Sequence, residues 1–439
     1  MHERVLENQQ VAVVGLGLTG HSCVRFLCAQ GARVTAFDSR SELKTSVPDT
    51  VSVNLGPFDA SALCETPLII LSPGVSLAEP AIQQAVEAGC EVIGDVELFA
   101  RFNRRPVIGI TGSNGKSTVT SLTAAMLEAS GVRAVCGGNI GTPVLDLLEQ
   151  SYDIAVLELS SFQLETLSSL SMSAATVLNI SPDHLDRYAD VQAYRQAKLR
   201  IYKNAALQVV NREDALTLPE SGTETGASQI GFGLNESAQG LGYRLKDQFI
   251  TLNGEDLLNF AQCQLVGEHN LLNVQASAAL ALAGGANVQG VTKAAASFKG
   301  LPHRCEKVRE HNGVVWINDS KGTNIGATQA AIAGLRSQVQ GRLMLIAGGD
   351  GKGADFNQLQ TALGAVDNLI CLGKDAEQIA SMKPGALRVA SMQAAVTAAD
   401  AMAKPGDMVL LSPACASLDM FDNYQQRGEV FSQAVEALI

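Results

Sequence analysis

The sequence predicts an α/β protein of three domains. Three observations carry that expectation. Strand-like apolar runs alternate with helical spacing along the whole chain. The 41 glycines in 439 residues suit many tight strand-to-helix turns. The length exceeds what one hydrophobic core serves, and at about 150 residues per domain it implies about three. With 46% hydrophobic residues there is enough apolar material for those cores. A net charge of −12 and no basic stripe exclude a nucleic-acid-binding role, which needs cations spread over a long surface. The nine cysteines show no Cys-x-x-Cys spacing, so neither a disulfide framework nor a zinc site is expected; they read as buried small hydrophobes in a reducing compartment. Met1-His2-Glu3-Arg4 lacks the apolar stretch of a signal peptide, and no run of about 18 apolar residues could span a membrane. The expectation is a cytoplasmic protein with no membrane insertion.

The first part opens on the buried-strand run Val11-Ala12-Val13-Val14, followed by Gly15-Leu16-Gly17-Leu18-Thr19-Gly20 and a helical run from His21 to Gln30. This is G-x-G-x-x-G in the strand-turn-helix setting where its glycines matter. A second strand, Arg33 to Phe37, ends in Asp38, 18 residues past the last glycine and close to where a dinucleotide fold places its ribose acid. A nicotinamide enzyme is therefore one reading. Ser39-Arg40 suit a phosphate or a uracil edge equally well. Leu68-Ile69-Ile70-Leu71 is a further strand with Ser72-Pro73-Gly74 as its exit turn, and a helix from Pro80 to Ala88 and the strand around Val92-Ile93 close the domain near residue 95.

The second part carries the most informative stretch of the chain, Gly109-Ile110-Thr111-Gly112-Ser113-Asn114-Gly115-Lys116-Ser117-Thr118. An apolar run leads in and a helical run, Val119 to Ala129, leads out. Backbone N–H groups and a helix N-terminus would thus face an anion, Lys116 would reach outer phosphates, and Ser117 would offer a hydroxyl to Mg²⁺. The usual P-loop pattern asks for glycine where this chain has Ile110, so the loop is a variant. The strand Asp153 to Leu157 presents Glu158, and the strand Ala174 to Ile180 delivers Asp183-His184-Leu185-Asp186-Arg187 to the same sheet edge, a place for a Mg²⁺-phosphate site. Lys198 sits in a helix from Val191 to Asn204 and reads, from the residues alone, as a solvated lysine. Turn-rich alternating segments to about residue 265 suggest short edge strands, and helices at Asn270 to Ala283 and Val291 to Ser297 finish this part.

After the turn-rich linker Gly300-Leu301-Pro302-His303-Arg304 the rhythm repeats. Strands ending near Ile317, Ile346, Leu372 and Leu411 deliver Asn318-Asp319-Ser320-Lys321, Gly348-Gly349-Asp350-Gly351-Lys352, Gly373-Lys374 and Ser412-Pro413-Ala414-Cys415-Ala416-Ser417. Polar residues at strand C-termini are where open α/β sheets bind ligands. The expectation is a substrate site that closes over the nucleotide.

The phosphate loop, Leu159-Ser160-Ser161-Phe162-Gln163-Leu164-Glu165, Asn179-Ile180-Ser181-Pro182-Asp183-His184, Gly300 to Arg304, Asn318 to Lys321 and Ser412 to Ser417 together resemble the Mur ligases of peptidoglycan synthesis, in order from about residue 10 to residue 430. The resemblance implies a Rossmann-like N-terminal domain over 1–95 holding a UDP substrate, a central P-loop-type ATP-binding domain with a mainly parallel sheet over 96–301, and a C-terminal Rossmann-like α/β domain over 302–439 holding an amino acid. The implied reaction is ATP-dependent addition of D-glutamate to UDP-N-acetylmuramoyl-L-alanine, with ATP and Mg²⁺ as cofactors, small-molecule partners only, and a monomeric chain. Leu18, Thr19, Asp38, Ser39, Arg40, Ser72, Pro73, Gly74 and Asn139 would bind the UDP substrate. Gly112, Ser113, Asn114, Gly115, Lys116, Ser117, Thr118, Asn270, Asn273, Arg304 and Asp319 would bind ATP. Thr323, Lys352, Ser417, Leu418 and Tyr424 would bind D-glutamate. Lys116, Glu158, His184, Lys198 and Lys321 would be catalytic, with Ser117, Glu158, His184 and Lys198 around the metal. Family members carbamylate a lysine at the position matching Lys198, which would overturn its reading as a solvated side chain. A folylpolyglutamate-type ligase would lack the first domain, a dehydrogenase would bind NAD(P)H without ATPase activity, and a non-catalytic protein would bind ATP without turnover.

Overall fold

A computed structural model describes residues 6–220, 227–265, 267–336 and 338–438. The Met1-His2-Glu3-Arg4 stretch lies outside them. The first sheet has five parallel strands in the order Ser52–Leu55, Arg33–Asp38, Gln10–Val14, Leu68–Leu71, Glu91–Gly94. Its central strands are uninterrupted apolar runs because helices cover both faces: Val11 and Val13 pack with Leu18–Ala29 and Asp95–Phe102, Ala12 and Val14 with Ala60–Cys64 and Pro80–Glu87. Strand order reverses at Gln10–Val14, and a crevice opens there at the strand C-termini.

The second sheet is six-stranded and parallel, in the order Ser228–Phe232, Leu207–Asn211, Ala174–Val177, Val107–Thr111, Ile154–Glu158, Ala134–Gly138. Val107–Thr111 lies between two strands reached by opposite crossovers, so the phosphate loop, Glu158 and the segment after Val177 emerge side by side. Lys116–Ala129, Glu268–Ala283 and Val288–Ser297 cover one face. The other face shares a core with the first domain through Asp95–Phe102 and the turn Val144–Glu149. A three-stranded antiparallel sheet, Leu241–Arg244, Phe249–Leu252 and Glu255–Asn259, stands at the edge. The last sheet runs Glu306–His311, Val314–Asn318, Met408–Leu411, Leu343–Ala347, Asn368–Cys371, Leu387–Arg388, with only its first pair antiparallel.

Several local expectations change. Ser52–Leu55 and Glu306–His311 carry no apolar run because they are largely exposed edges, and the glycine-rich Cys136-Gly137-Gly138 belongs to the strand Ala134–Gly138. The strand expected to reach Ile180 ends at Val177, because Asn179 leaves the ladder to brace the phosphate loop. The helix expected to reach Asn204 stops at Leu199 and tightens into a 3₁₀ turn, from which the Tyr202 hydroxyl accepts the Val177 N–H at 2.9 Å. All nine cysteines are free, but only Cys23, Cys371 and Cys415 are fully buried.

Candidate active site

Two glycines make the first crevice. Gly15 has φ +94°, and a Cβ on Gly20 would lie 1.9 Å from the Gly15 carbonyl oxygen, so neither position admits a side chain. Ser72 donates its hydroxyl to that same carbonyl at 2.7 Å, closing the crevice wall. Asp38 accepts the Leu16 N–H at 2.7 Å and is forked by the Arg40 guanidinium at 2.8 Å, which holds its carboxyl well below the ordinary range. Leu18, Thr19, Asp38, Ser39, Arg40, Ser72, Pro73, Gly74 and Asn139 all line one cavity of about 670 Å³, together with Ser117, Glu158, Lys321 and Tyr424. Leu18 is 84% exposed, an apolar side chain offered to whatever enters.

The phosphate loop turns through Gly115 at φ +83°, where a Cβ would strike the Asn273 side-chain oxygen at 2.5 Å. Lys116 begins the next helix, and its ammonium donates to the carbonyls of Gly112 and Ser113 at 2.8 and 2.9 Å. Burial pushes its pKa down. Ser117 donates to Glu158 at 2.5 Å, Asn139 donates to the other Glu158 oxygen at 2.7 Å, and Arg304 donates to the Ser117 hydroxyl at 2.6 Å. Glu158 is therefore an interior carboxylate. Burial opposes its charge, but Lys116 and these hydrogen bonds prevail and its pKa is lowered.

His184 adopts φ +55° beside Asp183, and burial drives its imidazole down to about 4, so it is neutral at physiological pH. Its ring meets the Phe162 ring edge-on at 4.9 Å. Lys198 overturns its reading as a solvated lysine. The side chain is buried, its Nζ lies 4.6 Å above the Tyr194 ring and 3.4 Å from the Thr111 hydroxyl, and burial pushes its pKa well below the usual value. Lys116, Glu158, His184 and Lys198 all line one cavity of about 270 Å³, together with Lys321, Thr323 and Lys352 from the third domain.

The third domain closes this cavity with side chains that cross to the second. Lys352 pairs with Asp183 at 2.5 Å, and Asn324 donates to both Asp183 and Asn114. Lys321 lies 4.1 Å over the Tyr424 ring, with burial pushing its pKa to about 8. Asn114, Gly115, Thr118, Asn270, Asn273, Arg304 and Asp319 line a neighbouring cavity of about 550 Å³ with an apolar wall from Leu265, Leu272 and Ala330. The D-glutamate set is not brought together as one. Thr323 and Lys352 face the small cavity and Tyr424 the first cleft, while Ser417 and Leu418 line none of these spaces and Leu418 is 74% exposed.

A hard divalent cation takes oxygen donors. The Ser117 hydroxyl and the Glu158 carboxylate fit such an ion; the unmodified Lys198 side chain, which offers no oxygen, does not. Among the described residues no cluster of three acidic, histidine or cysteine side chains forms a metal cage, so phosphate oxygens and water would complete the shell. Residues that sequence reasoning passed over include Asp183 and Asn324, which hold the second and third domains together, and Arg427, a buried guanidinium donating to Ser320, Cys415 and Ala416. Asp183 stood next to His184 in the motif and was legible; Arg427 lies in a polar helical run that gives no sign of burial.

A phosphate loop set between a glycine-lined crevice on one domain and a cationic closing face on another is the arrangement of a three-domain nucleotide-dependent enzyme. The chain belongs to the Mur ligase family. The Mur ligase MurD-like N-terminal domain matches residues 9–94, the Mur ligase middle domain residues 110–281, and the Mur ligase glutamate ligase domain residues 303–415. It is 47% identical over 438 residues to the UDP-N-acetylmuramoylalanine--D-glutamate ligase of Shigella boydii, covering 98% of this chain and 99% of that one. It is 48% identical over 435 residues to the protein of that name in Shewanella oneidensis, covering 97% and 98%. In fold it matches the crystal structure of UDP-N-acetylmuramate-alanine ligase MurC from Thermotoga maritima, with a TM-score of 0.62 at 18% identity over 98% of this chain and 100% of that one.

Proposed function

We infer that the chain is an ATP-dependent ligase that joins D-glutamate to UDP-N-acetylmuramoyl-L-alanine, a step in peptidoglycan precursor synthesis. The observation that carries this is the small cavity where the phosphate loop, Glu158 and His184 of the second domain meet Lys321 and Lys352 of the third, beside the UDP crevice. The near-full-length identity to D-glutamate ligases supports the choice of substrates. The chain would work in the cytoplasm, where ATP and a nucleotide-activated substrate are supplied, and as a monomer.

Amide formation in water needs an activated carboxylate. The substrate carboxylate attacks the γ-phosphorus, the bond to the bridging oxygen breaks, and ADP leaves an acyl phosphate. Lys116 exchanges its carbonyl partners for phosphate oxygens and neutralises charge as it builds, while Arg304 and Lys321 stand close enough to share it. A Mg²⁺ held by Ser117 and Glu158, when bound, supplies further neutralisation of the phosphate charge. The amine then attacks the acyl carbon, the carbon–oxygen bond to the phosphoryl group breaks, and inorganic phosphate leaves with the proton shed by the amine; Lys352, released from Asp183, is placed to take a glutamate carboxylate. Asn324, through Asn114 and Asp183, holds the third domain against the second, which excludes water from the acyl phosphate.

For Lys198 the reading is carbamylation. Burial favours the neutral amine, the form that reacts with CO₂, and the product would place an anionic oxygen donor near Glu158. Measuring ATP consumption with UDP-N-acetylmuramoyl-L-alanine across D- and L-amino acids tests the whole reading. Turnover is expected with D-glutamate, and its absence with every amino acid would overturn the assignment.

A further inference from the structure

The wall of the UDP crevice is held by a residue of another domain. Arg187 follows His184 in a single tight turn, closed by the Arg187 and Tyr188 N–H groups donating to the His184 carbonyl at 2.9 and 3.0 Å. Its guanidinium reaches across to the first domain, where it donates to the Pro73 carbonyl at 2.8 Å and the Val75 carbonyl at 3.2 Å. That turn is pinned from its other side by the Ser72 hydroxyl on Gly15 and closed by the Val75 N–H on the Ser72 carbonyl. Ser72, Pro73, Gly74 and Val75 all line the crevice.

The same guanidinium lies 3.9 Å above the Phe162 ring and pairs with Glu165 at 3.2 Å. Phe162 in turn packs its edge relation against the His184 ring at 4.9 Å and stacks on Tyr188 at 5.9 Å. Arg187 is thus fixed between two functional surfaces, the backbone of the substrate crevice and the aromatic support of His184. We propose that Arg187 is a positioning residue that couples occupancy of the first-domain crevice to the placement of His184. The two arms are chemically separable. The carbonyl arm needs two donors in a planar fork, which only arginine supplies, whereas the ring arm needs a cation over an aromatic face, which lysine also provides.

This rests on the crevice being the UDP-substrate site, and the experiment separates the two ideas. Arg187→Met and Arg187→Lys are compared with the wild type in kcat, in KM for UDP-N-acetylmuramoyl-L-alanine and for ATP, and in the thermal stabilisation given by the UDP substrate alone. Arg25→Ala serves as a control, because the Arg25–Asp146 pair also joins the first and second domains but is exposed and outside the crevice. For Arg187→Met the KM for the UDP substrate should rise about tenfold or more, the scale of one lost charge-assisted hydrogen bond, and kcat should fall by a similar factor. The KM for ATP should stay within about twofold. Arg187→Lys should recover most of kcat and leave the raised KM, while Arg25→Ala should match the wild type. If wild-type protein turns over the UDP substrate and Arg187→Lys keeps the same KM, the proposal fails and the ligase reading stands. Equal losses in both KM values, or the same changes in Arg25→Ala, mark a merely structural contact and overturn it too. Should Arg187→Met fail to fold, the lysine variant decides by the same criteria. A wild type without turnover fails the ligase reading instead.

Discussion

Replacing Asp95 by Asn should remove a pH dependence of stability that the wild-type chain carries between about pH 4 and 6. Asp95 opens the helix Asp95–Phe102 in the core shared by the first two domains, and it is buried. One carboxylate oxygen accepts the Gln163 amide at 3.1 Å, and the other has no partner among the described residues. Burial raises its pKa from 3.8 to about 6 against the smaller help of that hydrogen bond and the helix N–H groups. Because the folded state holds the proton more tightly than the unfolded chain, folding is favoured below the unfolded pKa. That advantage is lost as pH rises through about 6. A rise from 3.8 to about 6 corresponds to about 3 kcal/mol, an upper bound that relaxation around the site reduces. Asn cannot ionise, so its melting temperature relative to wild type should climb by several degrees between pH 4.5 and 7.5, at about 2 °C or more per kcal/mol for a unit of 150–250 residues. At pH 4.5 the variant should be the less stable, since its second amide hydrogen atoms would be buried without an acceptor. Other titrating groups are common to both proteins and cancel in the difference. Melting curves of the two proteins that stay parallel over this pH range would refute the burial argument for Asp95.

Lys116→Ala should abolish nearly all ligation in a folded protein, by about 3 kcal/mol or more of transition-state stabilisation, and near-normal kcat would remove the phosphate-loop role. Asp38→Ala should raise the KM for the UDP substrate far more than that for ATP, because Asp38 organises Leu16 and Arg40 on the first-domain wall of a crevice that the phosphate loop lines only through Ser117; equal increases in the two KM values would contradict separate sites. Lys198→Ala should be inactive and partly rescued by short carboxylic acids, and ¹³C-bicarbonate labelling of the wild type should give a carbamate signal. Mild loss without rescue, or no signal, would count against carbamylation.

Local chemistry with fixed spacing was legible without a structure. The turn at Gly15 and Gly20, the loop Gly112 to Thr118, and Glu158 at a strand end are dictated by what a tight turn, an anion cradle and a parallel sheet require of neighbouring residues, and the sheets place all of them as the strand pattern implied. Asn273 beside Gly115 and Arg304 beside Ser117 were reached through family resemblance, since nothing in their own surroundings marks them.

Only the tertiary structure decided what depends on packing between distant segments. Lys198 looks like any lysine on a polar helix, and its burial arises because the helix Val191–Leu199 turns that side chain toward Thr111 and Tyr194. Arg187 stood in the sequence only as the last residue of the segment carrying His184, and it is the joining of two domains that puts its guanidinium on Pro73 and Val75. The partition of the D-glutamate residues between cavities likewise follows from how the third domain meets the others. Sequence patterns report which residues share an element, because helical and strand periods are local. Burial, electrostatic partners and the pKa shifts they cause are set by which elements meet, and for this chain the decisive meetings lie between its domains.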